Sequence, residues 1–406
     1  MKRREVIKRL SVLPVAGAAF GATLPMYSCN TEVASNKRDL FDELGVKRLI
    51  NCSLTKTFLS GSIMLPEVLE AIDQTSGSFA NMHELQDRAG EKIAEMLECE
   101  AAMVTSGAAG GIVLGTAATM TGTDPEKINQ LPDLPGPKRE VIIQKSHRSE
   151  WDQLIRVAGA KLVEVDGPDE MEKAINKNTV MAFFLNCAEK HSISHEEFVA
   201  ISKEHNIVSF NDCAADVPPV DNLFKYIRMG FDLVTFSGGK MMHGPQSTGL
   251  LFGRKDLIRA ARLNNSPHEC PVARPMKVNK EEIFGMYVAL KSYLEKDHEK
   301  EWQEWLDRIN YISEYLKDIP TLKSETVMPT TVANAFPSMK ISWDQSAVKI
   351  TLQDMIESLL SGNPGIYTTG EDNALEIHVI LLQPRQVKFV AQRIKDILGQ
   401  AVSSQT

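Results

Sequence analysis

Short apolar runs alternate with amphipathic stretches through the middle of the chain. The runs Ala101–Ser106, Glu140–Gln144, Lys161–Val165, Val180–Asn186, Ile207–Asp212, Leu233–Ser237 and Thr248–Gly253 read as strands. Helical spacing fills most of the intervals, as in Glu196–His205. Strands separated by helices predict a parallel sheet covered on both faces. One interval breaks the pattern. Only the ten residues Gly238 to Ser247 separate the last two strands, and a parallel crossover needs a dozen or more. The expectation is a seven-stranded, mostly parallel sheet with its last strand reversed.

Past residue 275 the period changes. Ile283, Met286, Tyr287, Leu290 and Leu294 open a long amphipathic helix towards Leu316. Strand-like Ser338–Trp343, a helix at Leu352–Leu360, strands at Gly365–Thr369 and Leu375–Ile380, and a helix at Gln386–Leu398 follow. The pattern predicts a large α/β domain over residues 46–275 and a smaller α+β domain over 276–406. The segment Leu49–Thr57 fits against either.

The N-terminus has another character. Lys2-Arg3-Arg4-Glu5-Val6-Ile7-Lys8 resembles a twin-arginine export signal, with a general secretory signal as the alternative. The apolar stretch Leu13 to Pro25 is too short and too rich in Gly and Ala to span a membrane. Residues 1–29 are therefore expected to direct export to the periplasm, and residues 30–45 to form a linker. Met26-Tyr27-Ser28-Cys29 loosely resembles a lipoprotein cleavage site, which leaves a lipid anchor at Cys29 open.

Charge and cysteine content narrow the chemistry. A formal net charge of -8 argues against a nucleic-acid partner, since phosphate backbones reward positive surfaces. The six cysteines contain no C-x-x-C pair, so neither a zinc site nor a thioredoxin-like motif is indicated. If Cys29 is processed, five remain, and an odd number leaves at least one free thiol.

Three strand ends carry candidate chemistry. In Asp232-Leu233-Val234-Thr235-Phe236-Ser237-Gly238-Gly239-Lys240, a lysine follows a strand and two glycines, where α/β sheets bind ligands. A lysine withdrawn from water there is nucleophilic towards an aldehyde. The strand Ile207–Asp212 ends in a carboxylate 28 residues earlier, about one βα unit away. A carboxylate buried at a strand end needs a partner, and a protonated pyridine nitrogen is one. In Val104-Thr105-Ser106-Gly107-Ala108-Ala109-Gly110-Gly111 a strand runs into a small-residue turn that opens a helix near Ile112. Free N–H groups there make a phosphate cup. No P-loop lysine accompanies it. Phosphate cup, carboxylate and lysine together describe a site for pyridoxal 5'-phosphate.

These stretches, with Gly244-Pro245-Gln246, Glu84-Leu85-Gln86 followed by Gly90, and Arg274-Pro275-Met276-Lys277, resemble the selenocysteine synthase-like family of fold-type I pyridoxal-phosphate enzymes. That group holds the L-seryl-tRNA(Sec) selenium transferases and the D-glucosaminate-6-phosphate ammonia lyases. The resemblance covers roughly residues 45 to 395. It implies that Lys240 anchors the cofactor and removes a substrate α-proton, and that Asp212 pairs the ring nitrogen. It also implies that Ser106, Gly107, Ala108 and Ser237 hold the phosphate and that His147 stacks over the ring. Arg274 and Lys277 would bind an anionic substrate. The implied reaction is elimination or β-replacement on an amino acid or amino sugar acid, in a homodimer or larger assembly. An acidic chain with an export signal in place of a tRNA-binding region departs from selenocysteine synthase proper. Residues 365–369 lack an arginine for a substrate carboxylate, which speaks against an aminotransferase.

Rival readings remain. An aldolase on the same fold and a non-catalytic binding protein share these motifs. Ser237-Gly238-Gly239-Lys240 also spells the S-x-x-K of periplasmic serine hydrolases, though S-D-N and K-T-G are missing. His191-Ser192-Ile193-Ser194-His195 reads as a surface loop rather than a metal site, with Ser194 capping the next helix.

Overall fold

A computed structural model describes residues 38–136 and 138–403. The arginine pair, the apolar stretch and Cys29 lie outside the described residues. Residues 38–46 belong to a separate small unit, in which Asp39 caps the helix Leu40–Leu44 and Gly45 closes it with a left-handed backbone. The described residues from Lys47 onward form one compact unit.

The strands run in chain order β1 Leu49–Asn51, β2 Ala101–Ser106, β3 Glu140–Gln144, β4 Lys161–Val165, β5 Thr179–Leu185, β6 Val208–Asp212, β7 Leu233–Ser237, β8 Thr248–Gly253, β9 Lys323–Val327, β10 Ser338–Ser342, β11 Gly365–Tyr367, β12 Thr369–Glu371 and β13 Ala374–Ile377. The main sheet has seven strands in the order β2-β8-β7-β6-β5-β3-β4. β8 pairs antiparallel with both β2 and β7, and the other main-sheet pairings are parallel. The short connection dictates this reversal. Both faces are packed. Val104, Ile142, Phe184, Val234 and Leu250 point into one apolar cluster, while Met103, Val141, Leu185, Phe210 and Leu251 point into the other. The second cluster also contains the helix Gly107–Thr121, so residues of that parity share its layer.

Two expectations need correction. The helix from Ile283 does not continue to Leu316. It ends at Glu295, Lys296 turns extended, and the Asp297 side chain accepts from Lys300 N to start a new helix, His298–Leu316. A carboxylate that caps nascent N–H groups outweighs continued apolar periodicity here. The stretch Gly365–Thr369 is likewise not one strand. β11 pairs with β1, whereas β12 joins the four-stranded sheet β12-β13-β10-β9, so the chain changes sheets at Thr368. Contacts cross the expected domain boundary at 275/276. The helix Lys280–Glu295 lies against the main sheet, with Thr248 Oγ1 donating to Met286 Sδ at 3.2 Å.

The strap after β1 answers the question left by Leu49–Thr57. β1 pairs parallel with β11, and Cys52 N donates to Tyr367 O at 2.8 Å. The chain then crosses to the main sheet, where Ser62 N donates to Gly239 O at 3.0 Å. This segment ties the C-terminal strands to the loop that bears Lys240.

Candidate active site

Lys240 is the third residue of the loop that leaves β7 and doubles back into β8. Gly238 N donates to Thr248 O at 2.8 Å, and Gly244 N donates to Gly238 O at 2.9 Å. Ser62 Oγ donates to Lys240 O at 2.6 Å, and His243 N donates to the same oxygen at 3.0 Å. The loop is therefore held by backbone and leaves the lysine side chain free to act. Gly239 is required because a Cβ there would stand 2.4 Å from the Gln246 backbone. Ser237 and Lys240 sit on a strand end and a turn, not on the opening of a helix, so the geometry of an S-x-x-K hydrolase is not present.

The phosphate turn sits beside it across β8. The helix opens at Gly107, earlier than the expected start near Ile112, with φ of 68° at Gly107. Ser106 precedes it and makes no side-chain capping bond. The first-turn N–H groups of this long helix thus point outward without a partner from the helix itself, an arrangement suited to a phosphate. β8 comes so close that a Cβ on Gly249 would stand 2.3 Å from the Gly107 carbonyl carbon.

Asp212 completes the group. It ends β6 in register with Thr235 of β7, and its parity places it in the layer of the Gly107–Thr121 helix. It is 7% exposed, and Ala214 N donates to its Oδ1 at 3.0 Å. Burial pushes its carboxyl up to about 6, against one backbone hydrogen bond and the attraction of Lys240, which pull it down. A buried carboxyl group with so little compensation fits a cation delivered by a ligand.

A cavity of about 300 Å³ joins these parts. Its lining brings together the predicted Ser106, Gly107, Ala108, Asp212, Ser237 and Lys240. It adds Thr57, Trp151, Cys187 and Gln246, which sequence reasoning missed. Trp151 lies four residues past His147 and is half exposed, so only its proximity to a β-strand end could have flagged it. Burial and the neighbouring Asp212 and Asp216 push the Cys187 thiol up to about 11, so it is a thiol rather than a thiolate.

Other expected residues lie elsewhere. His147 is 1% exposed and does not line the cavity. Its ring meets Phe184, on the opposite face of the sheet from the Gly107–Thr121 helix. Its Nδ1 accepts from Leu185 N at 3.1 Å, so Nε2 carries the proton and donates to His191 Nδ1 at 2.8 Å. Burial and the two neighbouring histidines lower its pKa to about 3. Both nitrogens are committed within this cluster. The aromatic ring in the lining is Trp151. His191 and His195 are correspondingly more than a surface loop, because both turn towards this cluster. Ser194 does cap the helix His195–Glu204, in a capping box with Glu197. Arg274 and Lys277 line a second cavity of about 420 Å³ with Phe79 and Gln86, apart from Lys240 in the same chain.

Comparison with known proteins decides the family. A profile described as L-seryl-tRNA selenium transferase matches residues 80–348. The chain belongs to that family. Among its relatives is a 5'-C-glycyluridine monooxygenase-decarboxylase from a Streptomyces species, 27% identical over 375 residues that cover 88% of this chain and 92% of the other. Another is the D-glucosaminate-6-phosphate ammonia lyase of Salmonella typhimurium, 25% identical over 382 residues, 89% of this chain and 99% of the relative. A solved structure of D-glucosaminate-6-phosphate ammonia-lyase superposes with a TM-score of 0.81 at 24% identity, over 90% of this chain and 99% of that one. The fold is that of fold-type I pyridoxal-phosphate enzymes. The cofactor of this family, pyridoxal 5'-phosphate, fits the residues present: helix N–H groups for its phosphate, the buried Asp212 for its ring nitrogen, and Lys240 for its aldehyde.

One motif of the family serves the scaffold. β2 is an edge strand, and Gln86 covers its open side: Nε2 donates to Val104 O at 2.9 Å, and Val104 N donates to Oε1 at 3.3 Å. Gln86 is 3% exposed. Gln86→Leu leaves two buried backbone groups unpaired beneath the phosphate turn. Chemical denaturation is expected to show a loss of about 2–3 kcal/mol, from one to two unsatisfied groups. Unchanged stability contradicts this role.

Proposed function

We propose that this chain is a pyridoxal 5'-phosphate-dependent lyase or transferase acting on an amino acid or amino sugar acid by α,β-elimination or β-replacement. The observation that carries it is the single cavity lined by Lys240, Asp212 and the Gly107 turn. The cofactor supplies the electron sink for a substrate carbanion. The residues do the rest. Lys240 takes the proton from the substrate α-carbon, the bond from the β-carbon to its leaving group breaks, and the proton departs with that group or, after replacement, returns to the α-carbon. Asp212 keeps a proton on the ring nitrogen. The backbone N–H groups after Ser106 hold the phosphate, with Ser237 at its edge. Trp151 covers the ring where His147 was expected.

Lys240 is the one cationic side chain among the described residues that line the cavity. An anionic substrate therefore needs a further cation. We include in this proposal a homodimer or larger assembly, in which Arg274 and Lys277 serve the cavity of a neighbouring copy. Export remains part of the reading through Arg3-Arg4 and the apolar stretch after them, with cell fractionation as its test.

The experiment is reconstitution of the purified chain with the cofactor, a visible absorbance scan, and an amine screen that measures ammonia and keto-product release. Oxygen-dependent decarboxylation, scored in the same screen, separates the chemistry named for the Streptomyces relative. No visible band after reconstitution sinks the proposal. Cofactor binding is also expected to quench the fluorescence of the wild type, and Trp151→Phe is expected to lose most of that quenching. Equal quenching in the variant removes Trp151 from the ring.

A further inference from the structure

The turn that carries Asp212 is held by groups with no part in the chemistry above. Asn186, just past β5, is their hub. Its backbone N donates to Asp212 O at 3.2 Å. Its Nδ2 donates to Asp216 Oδ2 at 2.6 Å and to Cys213 Sγ at 3.3 Å. Its Oδ1 stands 2.7 Å from His195 Nε2. An amide oxygen only accepts, so His195 Nε2 must carry the proton. Asn186 is 2% exposed, and the acceptor oxygen of the Asp216 carboxylate sets which way its amide faces.

Each end of the chain of bonds is locked. His195 lies between Phe184, at a centroid distance of 4.2 Å, and Tyr226, stacked at 5.6 Å. Burial and His191 lower its pKa to about 4, so it is a neutral donor at physiological pH. Asp216 is 1% exposed, and Asn222 Nδ2 donates to its backbone O at 2.7 Å. It has no ion-pair partner among the described residues. Burial, with the nearby Asp212, raises its carboxyl to about 7. A second buried acid this close to Asp212 is costly to keep, and a hydrophobic residue of similar size avoids the cost. Its service is to give Asn186 Nδ2 an acceptor one turn from Asp212.

We propose that Asn186, gripped between His195 and Asp216, is a positioning residue that aims the Asp212 carboxylate at the cofactor ring nitrogen. The bonds run along the carboxyl edge of the sheet, from the histidine cluster to the turn that follows Asp212. Preorganisation of this kind is what a carboxylate at a chain turn otherwise lacks. The inference rests on the cofactor reading given above.

The test compares full-length wild type with Asn186→Ala, His195→Leu and His195→Gln, each titrated with pyridoxal 5'-phosphate. The readouts are affinity and the circular dichroism of the visible band, scaled to its absorbance. Glutamine keeps an N–H donor where His195 Nε2 stood. Asn186→Ala and His195→Leu are expected to bind the cofactor about tenfold more weakly, the equivalent of one buried hydrogen bond. Their scaled dichroism is expected to change, because the ring is less firmly oriented. His195→Gln is expected to restore both. A purely structural role lowers the melting temperature and leaves the scaled dichroism at the wild-type value, and that result overturns the proposal. If Asn186→Ala does not fold, the leucine and glutamine pair at 195 decides alone: equal dichroism in the two overturns it. Absence of any visible band in the wild type defeats the function reading itself, which is a different outcome.

Discussion

Lys240→Ala is expected to lose the visible band of the lysine-bound cofactor, leaving only the shorter-wavelength absorbance of the free aldehyde, and to reduce turnover by at least about 10²–10⁴-fold, the range for losing a positioned acid–base group. The loss of the covalent anchor adds to this. The fold is expected to survive, because what holds the loop are bonds to its backbone: Ser62 Oγ and His243 N on the Lys240 carbonyl, and Thr248 O on Gly238 N. Thermal unfolding of the apo variant is therefore expected to stay within about 0.5 kcal/mol of the wild type, as for a substitution that removes no packed contact. An active variant with an unchanged band removes Lys240 from the chemistry. An inactive variant that is also unfolded contradicts the description of the loop.

Asp212→Asn is expected to have two effects of opposite sign. The cofactor loses its charged partner at a fully buried position. The breaking of a buried pair costs about 3–5 kcal/mol, or roughly 10²–10⁴-fold in affinity. The apo protein, by contrast, is expected to become more stable at alkaline pH. The wild-type carboxyl is raised from 3.8 to about 6 by burial. A carboxyl raised on folding binds its proton more tightly in the native state, so its contribution is intact below the unfolded value and is lost as pH rises through about 6. A shift of that size is worth on the order of 3 kcal/mol. Asparagine keeps an acceptor for Ala214 N and carries no charge. Melting curves of apo wild type and variant at pH 5 and pH 8 check this: the variant's advantage has to appear at pH 8 and shrink at pH 5. An advantage of equal size at both values is inconsistent with a buried, uncompensated carboxylate. Such a balance, with stability given up where a ligand is to be held, is common at functional sites.

Burial first, and then the nearby Asp212 and Asp216, disfavour a thiolate at Cys187, so this sulfur is not activated as a nucleophile.

Sequence alone determined the sheet. Continuous apolar runs and the length of their connections set the strands, the parallel core and the reversal of β8, because local periodicity and the minimum span of a crossover are chain-local properties. Lys240, Asp212 and the Gly107 turn were legible for a related reason. Each sits at a strand end, and glycine is demanded where backbones approach. Tertiary structure decided what happens between elements distant in the chain. Sequence cannot tell which face of the sheet a residue beyond a strand end will turn to. His147 therefore went to the Phe184 side, Trp151 lines the cavity, and Arg274 and Lys277 line a different one. The strap from Leu49, the Gln86 clasp on the edge strand and the Asn186 hub join positions far apart in sequence, and only the closing of the sheet brings those backbone and side-chain groups within hydrogen-bonding reach.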